Sequence, residues 1–163
     1  MSVNRALPHV FILPEDDANL RLANEFHLNV DWNRQRQLQV LDVPGGWIEV
    51  LEQFESVHVA EMDRSHHRFM VLLIDFDRKE NRLQAAKARI PTRLAQRVFV
   101  LGALSEPEDL RRVLGSYESI GLAMAKDCRE GTDTTWSHEV LRHNSSELVR
   151  LNHRVRPILF PTT

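Results

Sequence analysis

Two aspartates at the end of an apolar run are the residues of this sequence best placed to do chemistry. Asp75 and Asp77 follow the uninterrupted apolar segment 69–74. Such a segment, rich in branched side chains, is typical of a strand buried on both faces of a parallel sheet. Ligands bind at the carboxyl edge of these sheets, and alternation along an extended chain points both carboxylates to the same side. The pair therefore predicts a site for a hard divalent cation.

Other acidic residues follow neighbouring predicted strands. Glu15 comes directly after the apolar segment 9–14, and Glu106 and Glu108 follow the apolar segment 97–102. Because the carboxyl ends of parallel strands meet at one edge, we expect Glu15 and one of the two later glutamates to converge with the aspartates. Grouped carboxylates repel one another unless a cation neutralises them. The pattern indicates Mg²⁺ or Mn²⁺ held by oxygen ligands, and hence phosphoryl-transfer chemistry.

Helix initiation explains part of this acidity. Asp16 or Asp17 suits an N-cap, where a carboxylate accepts from free backbone N–H groups and favours the positive end of the helix dipole. Ser105 suits a second N-cap, with Pro107 in the first turn and Glu108 three residues after the cap. Glu15 is not explained in this way.

The elements that must position these residues alternate between strand and helix. Strands are predicted at 9–14, 37–43, 69–77 and 97–102, with helices after each, including two short helices separated by Pro91 within 78–96 and a later helix over about 137–150. This rhythm predicts an α/β fold, a three-layer sandwich with a mainly parallel central sheet. We expect a single domain over 1–163, with a core at 8–115 and a C-terminal helical extension at 116–163.

Composition sets few limits on function. The chain has 42% hydrophobic and 27% charged residues, which is ordinary for a soluble globular protein, and one cysteine, Cys128, which we expect to be a packed or surface thiol. No apolar run is long enough to span a membrane, and the first residues lack the apolar core of a signal peptide, so a cytoplasmic location is expected. The net charge of −2 gives no global attraction to nucleic acid.

A local basic patch is the remaining route to nucleic-acid binding. Arg78, Lys79 and Arg82 open a stretch of cationic residues directly after Asp77. These side chains are candidates for phosphate contacts, and a solvated helix face is the alternative interpretation. The three tryptophans, Trp32, Trp47 and Trp136, are interpreted as packing residues rather than base-stacking platforms.

The ordered motifs resemble a known family. A strand ending in Leu13-Pro14-Glu15, a second running into Val43-Pro44-Gly45-Gly46 and a third ending in Ile74-Asp75-Phe76-Asp77 together resemble the Toprim domain. That domain is shared by topoisomerases, bacterial primases and nucleases of the overcoming-lysogenization-defect (OLD) type. Ser105-Glu106-Pro107-Glu108 resembles the acidic segment after the fourth strand of OLD-type members. Asp16 stands where the family usually has glycine, and Asn19 stands at a later acidic position of the motif.

This resemblance implies Mg²⁺- or Mn²⁺-dependent cleavage of nucleic-acid strands. By the resemblance, Asp75 and Asp77 would be metal ligands, and Glu15 would be a further ligand or the general acid/base. Glu106 would make a secondary metal contact.

Two other functions fit parts of the pattern. The acidic pair Asp16-Asp17 with Asp75 also resembles the pocket of response-regulator receiver domains, in which Asp75 would accept a phosphoryl group. The segment 100–103 lacks the hydroxyl residue expected there. A non-catalytic interaction protein is the third hypothesis, because a helix with Leu141, Leu148 and Leu151 and the apolar tail 158–160 would either cover a sheet edge or form a homodimer surface. A partner protein or a second copy is thus an expected partner, alongside nucleic acid.

Overall fold

A four-stranded parallel sheet organises the computed structural model, which describes residues 2–79 and 81–161. The strands lie side by side in the order β2-β1-β3-β4, and every neighbouring pair is parallel. Their bounds are β1 His9–Pro14, β2 Leu38–Val40, β3 Arg68–Leu73 and β4 Val98–Leu101. The predicted strand positions are confirmed, although β2 and β3 are shorter than the patterns suggested.

Helices connect the strands and cover the sheet. The α-helices are α1 Asp17–Leu28, α2 Trp47–Gln53, α3 Val59–Arg64, α4 Asn81–Ala88, α5 Pro107–Leu114, α6 Tyr117–Glu130, α7 Ser145–Arg154 and α8 Arg156–Leu159. A π-helical turn, Phe54–His58, joins α2 to α3, and 3₁₀ turns lie at Gln35–Gln37, Thr92–Arg97 and Arg142–Asn144. In the described residues no helix is long and apolar enough to cross a membrane.

The two faces of the sheet bury different sets of helices. Val10 and Ile12 of β1 pack in one apolar cluster with residues of α1, α6, α7 and α8. Phe11 and Leu13 of the same strand pack in a second cluster with residues of α2, α3 and α4. Successive side chains of a strand point to opposite faces, so one strand serves both clusters. The predicted three-layer α/β sandwich is therefore confirmed.

The strand order creates a crevice at one edge. From β1 the chain crosses to β2 on one side, and β3 then lies on the other side of β1. In open α/β sheets such a change of direction opens a cleft outside the carboxyl ends of the two strands, and ligands bind there. Glu15 and Asp16 follow β1, and Asp75 lies just beyond β3. The fold thus brings these acids to the cleft.

Helix α7 and the turn before it cover the free edge of β4. Asn144 accepts from the Gly102 N–H at 3.1 Å and donates to the Gly102 carbonyl at 2.9 Å. One turn later, the buried carboxylate of Glu147 accepts from the Val100 N–H at 3.1 Å. Side chains thus occupy backbone groups that a fifth strand would otherwise pair, which protects an exposed edge.

A helix predicted over 137–150 is wrong in its start. The structure has a 3₁₀ turn at Arg142–Asn144, and α7 begins at Ser145. Asn144 turns its side chain to the sheet edge, so a continuous helix through this point would lose the contacts with Gly102. The apolar tail 158–160 lies in the same core cluster as Leu148 and Leu151, so within the chain it covers the sheet.

The N-cap of α1 and the environments of Trp32 and Cys128 can also be compared with the predictions, as can the start of α5. Asp16 is the N-cap of α1, as predicted, whereas the N-cap of α5 is Glu106, and the Ser105 hydroxyl instead donates to Asp109. Trp32 is 87% exposed, so its interpretation as a packing residue is wrong. Cys128 is buried, and burial raises its pKa to about 12, which leaves an unreactive thiol.

Candidate active site

Three side chains hold Asp75 in place. The Asp75 N–H donates to Oε2 of Glu15 at 2.6 Å, and the Asp75 carbonyl accepts from Nη1 of Arg82 at 2.6 Å. Its side-chain Oδ1 accepts from Nδ2 of Asn19 at 3.1 Å. Glu15 follows β1, Asn19 lies in α1 and Arg82 lies in α4. The position of Asp75 is therefore set by three separate elements.

A buried amide joins two carboxylates across the cleft. Asn19 is 1% exposed, and its Nδ2 lies 3.0 Å from Oδ1 of Asp16 and 3.1 Å from Oδ1 of Asp75. Asp16 also accepts from the Asn19 backbone N–H at 3.0 Å, which is its N-cap bond. The carboxylates that follow β1 and β3 consequently face the same small region.

The surroundings of Asp75 disfavour its negative charge. Burial raises the pKa of Asp75 to about 8; the Asn19 hydrogen bond opposes this rise, and repulsion from Glu15 and Asp16 adds to it. A carboxylate surrounded by other carboxylates gives up its proton more readily when a cation is present. Hard oxygen donors lacking a counter-charge are the donor set that Mg²⁺ and Mn²⁺ prefer, so these residues fit such an ion.

Glu15 has the character of a proton carrier. Burial raises the pKa of Glu15, the Asp75 N–H opposes the rise, Asp16 adds to it, and Arg82 opposes it. A raised pKa makes a carboxylate a stronger base, which is what proton abstraction requires. Its bond to the Asp75 N–H fixes one of its two oxygens.

Asp77 does not continue the alternation expected from the sequence. The strand β3 ends at Leu73, Phe76 is buried, and Asp77 has a left-handed backbone with φ of 49°. Its side chain is 70% exposed and lies 3.7 Å from Nη2 of Arg82. The expected alternation requires an extended chain through Asp77, and the left-handed backbone of Asp77 breaks that chain directly after Phe76.

The remaining predicted residues lie around the cleft. Glu106 is exposed at the start of α5, with no capping bond from its side chain. The side chains of Arg78 and Lys79 are 71% and 64% exposed, whereas that of Arg82 is 10% exposed and stacks on Trp47. The three cations therefore do not form one uniform surface patch.

The structure brings together a smaller acidic set than the sequence suggested. Within residues 2–79 and 81–161, no three His, Cys, Asp or Glu side chains form a group that could hold a metal ion. Asp16 and Asp75 both accept from the Asn19 amide, and Glu15 accepts from the Asp75 N–H. From the sequence, Asp16 was predicted as an N-cap, and both Asp16 and Asn19 differ from the residues usual in the Toprim motif. Their spacing of three residues at a helix start was the signal that they share a face.

Comparisons of the chain with protein-family models, with curated protein sequences and with solved structures found no match.

Proposed function

We propose that the cleft binds Mg²⁺ or Mn²⁺ and that the protein cleaves nucleic-acid phosphodiester bonds. One observation carries this proposal: Asp16 and Asp75 meet on the buried amide of Asn19 at the carboxyl ends of β1 and β3. That is the position where open α/β sheets bind their ligands. The resemblance of the strand-end motifs to the Toprim domain supports the reaction class.

Asp16 and Asp75 would supply the protein ligands of the ion. Magnesium retains several water molecules and takes further oxygens from substrate phosphates, so two carboxylates suffice for such a site. The bound ion would stabilise charge on the transferring phosphoryl group and lower the pKa of the attacking water. Asn19 would keep the two ligands oriented through its paired hydrogen bonds.

Glu15 would act as the general base. It would take a proton from the attacking water while the water oxygen bonds to phosphorus and the bond from phosphorus to the leaving oxygen breaks. Because the leaving oxygen departs from the opposite side of phosphorus, it would take its proton from solvent water. Arg78 and Lys79, exposed beside the cleft, would contact backbone phosphates without reading sequence.

The test is cleavage of supercoiled DNA, single-stranded DNA and RNA by the purified protein with Mg²⁺ or Mn²⁺. We expect nicking that disappears in Asp75→Asn and Glu15→Gln. The glutamine keeps an acceptor for the Asp75 N–H but cannot carry the proton. Titration calorimetry should show Mn²⁺ binding to the wild type that is weakened in Asp16→Asn. If the protein shows no cleavage and binds no Mn²⁺, the proposal is overturned and a non-catalytic interaction protein is favoured.

Two further variants test whether Asp77 and Glu106 are ligands of the ion. Asp77→Asn and Glu106→Gln should leave Mn²⁺ affinity within about twofold of the wild type if both side chains stay outside, as their exposure suggests. A loss of tenfold or more, which is about 1.4 kcal/mol, would place them among the ligands.

A second candidate is a phosphoacceptor role for Asp75. The observation that favours it is the strand order β2-β1-β3-β4, which matches the first four strands of the flavodoxin-like order that receiver domains share. Glu15 and Asp16 then stand as the acidic pair after β1. Incubation with acetyl phosphate and Mg²⁺, followed by mass spectrometry, would show a phosphoryl group that Asp75→Asn abolishes. Residues 100–103 still lack a hydroxyl group, which ranks this function below cleavage.

A further inference from the structure

We infer that Arg82 is a positioning residue that holds Asp75 through its main chain, rather than a contact for nucleic-acid phosphates. This inference rests on the proposed metal site, because it assigns a role within it. The first observation is burial: the Arg82 side chain is 10% exposed, against 71% for Arg78 and 64% for Lys79. A guanidinium withdrawn from solvent is poorly placed to follow a phosphate backbone.

The second observation is what the guanidinium contacts. Nη1 of Arg82 donates to the Asp75 carbonyl at 2.6 Å, while the N–H of the same residue donates to Glu15. On either side of Asp75, the N–H groups of Ile74 and Phe76 still donate to Leu101 and Ala103. The N–H and carbonyl of Asp75 itself meet the side chains of Glu15 and Arg82 instead. These two side chains therefore satisfy the backbone groups that face away from β4.

The third observation is how the guanidinium is itself fixed. Cζ of Arg82 lies 4.6 Å from the centre of the Trp47 ring, at the start of α2. Its Nη2 lies 3.7 Å from Asp77, so the same group also holds that carboxylate in the outer loop. A planar guanidinium can stack and donate in two directions at once, which a lysine ammonium cannot do. Arg82 thereby links α2, α4 and the loop that follows β3.

Loss of the guanidinium should consequently misplace the Asp75 carboxylate. We compare Arg82→Ala and Arg82→Lys with Arg89→Ala, a control just after α4 whose guanidinium pairs with Glu55 instead. Both Arg82 variants should weaken Mn²⁺ binding about tenfold or more, the effect usual for residues that orient metal ligands. The KM for a nucleic-acid substrate should stay unchanged, and the control should bind Mn²⁺ as the wild type does.

Amide hydrogen exchange of Asp75, followed by NMR without metal, separates this inference from the proposed function. Exchange at the Asp75 N–H should quicken in both Arg82 variants and not in Arg89→Ala. The lysine variant guards against simple unfolding, because it keeps the charge and most of the side-chain packing. Faster exchange in a protein that binds no Mn²⁺ would retain the positioning role and reject the metal site. A raised KM with unchanged Mn²⁺ affinity and unchanged exchange would make Arg82 a substrate contact and overturn the inference.

Discussion

His58 is a buried side chain whose polar atoms are left without partners. It lies in the π-helical turn between α2 and α3, and neither ring nitrogen finds a hydrogen-bond partner in the described part of the chain. A buried polar group without a partner loses its hydration and gains nothing in return. Leucine has a similar volume and no polar atoms. We predict that His58→Leu raises the free energy of unfolding by about 1–2 kcal/mol in urea titrations at neutral pH.

The same substitution should change the response to acid. Burial lowers the pKa of His58, and the nearby Arg68 lowers it further. As the pH falls below 6.5, the unfolded chain therefore takes up a proton at His58 that the folded protein refuses, and stability drops. His58→Leu should lose less stability than the wild type over this range. An exposed histidine serves as control, since His67→Leu should leave the free energy of unfolding at neutral pH unchanged. Equal acid sensitivity in His58→Leu and wild type would contradict the argument.

Asp75 should make the metal-free protein less stable as the pH rises from 3.8 to about 8. Its pKa is raised from 3.8 to about 8, so its contribution to stability is present below pH 3.8 and is lost as the pH rises through 8. We predict that Asp75→Asn, without metal, is more stable than the wild type above this pH and that the advantage shrinks in acid. Thermal unfolding at several pH values measures it. Asp77→Asn, at an exposed carboxylate, should show no such trend.

At the scale of elements, Gly102 controls how closely the exits of β3 and β4 approach. A Cβ at this position would lie 1.6 Å from the Ile74 carbonyl oxygen. Around it, the Ile74 N–H donates to Leu101 and the Phe76 N–H donates to Ala103, which extends the pairing toward the site. We predict that Gly102→Ala lowers the free energy of unfolding by about 3 kcal/mol, because the two segments must separate.

A second glycine provides the comparison for this prediction. Gly45 has a φ of 104° but nothing within 4 Å of an added Cβ. Gly45→Ala should therefore lose only about 1 kcal/mol, from backbone strain alone. Similar losses in the two variants, measured by urea unfolding, would show that the close approach at Gly102 is unimportant.

The contact between α7 and β4 depends on one buried carboxylate. Besides the Val100 N–H, Glu147 accepts from Lys87 at 2.6 Å and from Arg150 at 2.9 Å. We predict that Glu147→Ala lowers the free energy of unfolding by about 1–3 kcal/mol, mainly because it leaves the Val100 N–H without a partner. Lys87 and Arg150 are 39% and 33% exposed, so their charges can be hydrated in the variant. Glu147→Gln, which still accepts from Val100, should lose less. Chemical denaturation compares both with Glu130→Ala, an exposed position that should be near neutral.

At the scale of the whole molecule, both edges of the sheet carry a largely buried guanidinium, but only the carboxyl edge groups several acids. Glu15, Asp16 and Asp75 lie there around Arg82, whereas Arg68 lies beside His9 at the amino edge. The net charge of −2 does not reveal this grouping. The three acids favour a cation at the carboxyl ends of the strands.

The fold was largely readable from the sequence, and the details of the site were not. Buried parallel strands produce continuous apolar segments, and those segments located β1, β3 and β4. The strand β2 was predicted from the mixed polar and apolar segment 37–43. The position of Asp77 was not predicted because its backbone turns left-handed after Phe76, a conformation that the apolar pattern does not indicate. Asn19 joined the site through a contact with Asp75 that no local pattern contains. Asn144 broke the expected helix for the same reason, through its bonds to Gly102.

The residues that cover the edge of β4 are synthesised after the whole sheet. A ribosome delivers the chain from its amino end, so the whole sheet can assemble before Asn144 and Glu147 have left the exit tunnel. During that interval β4 presents an unpaired edge, which is a template for another chain. Nascent chains arrested while residues 144–147 are still inside the tunnel should therefore associate with one another or recruit chaperones, and this should stop once Asn144 and Glu147 have emerged.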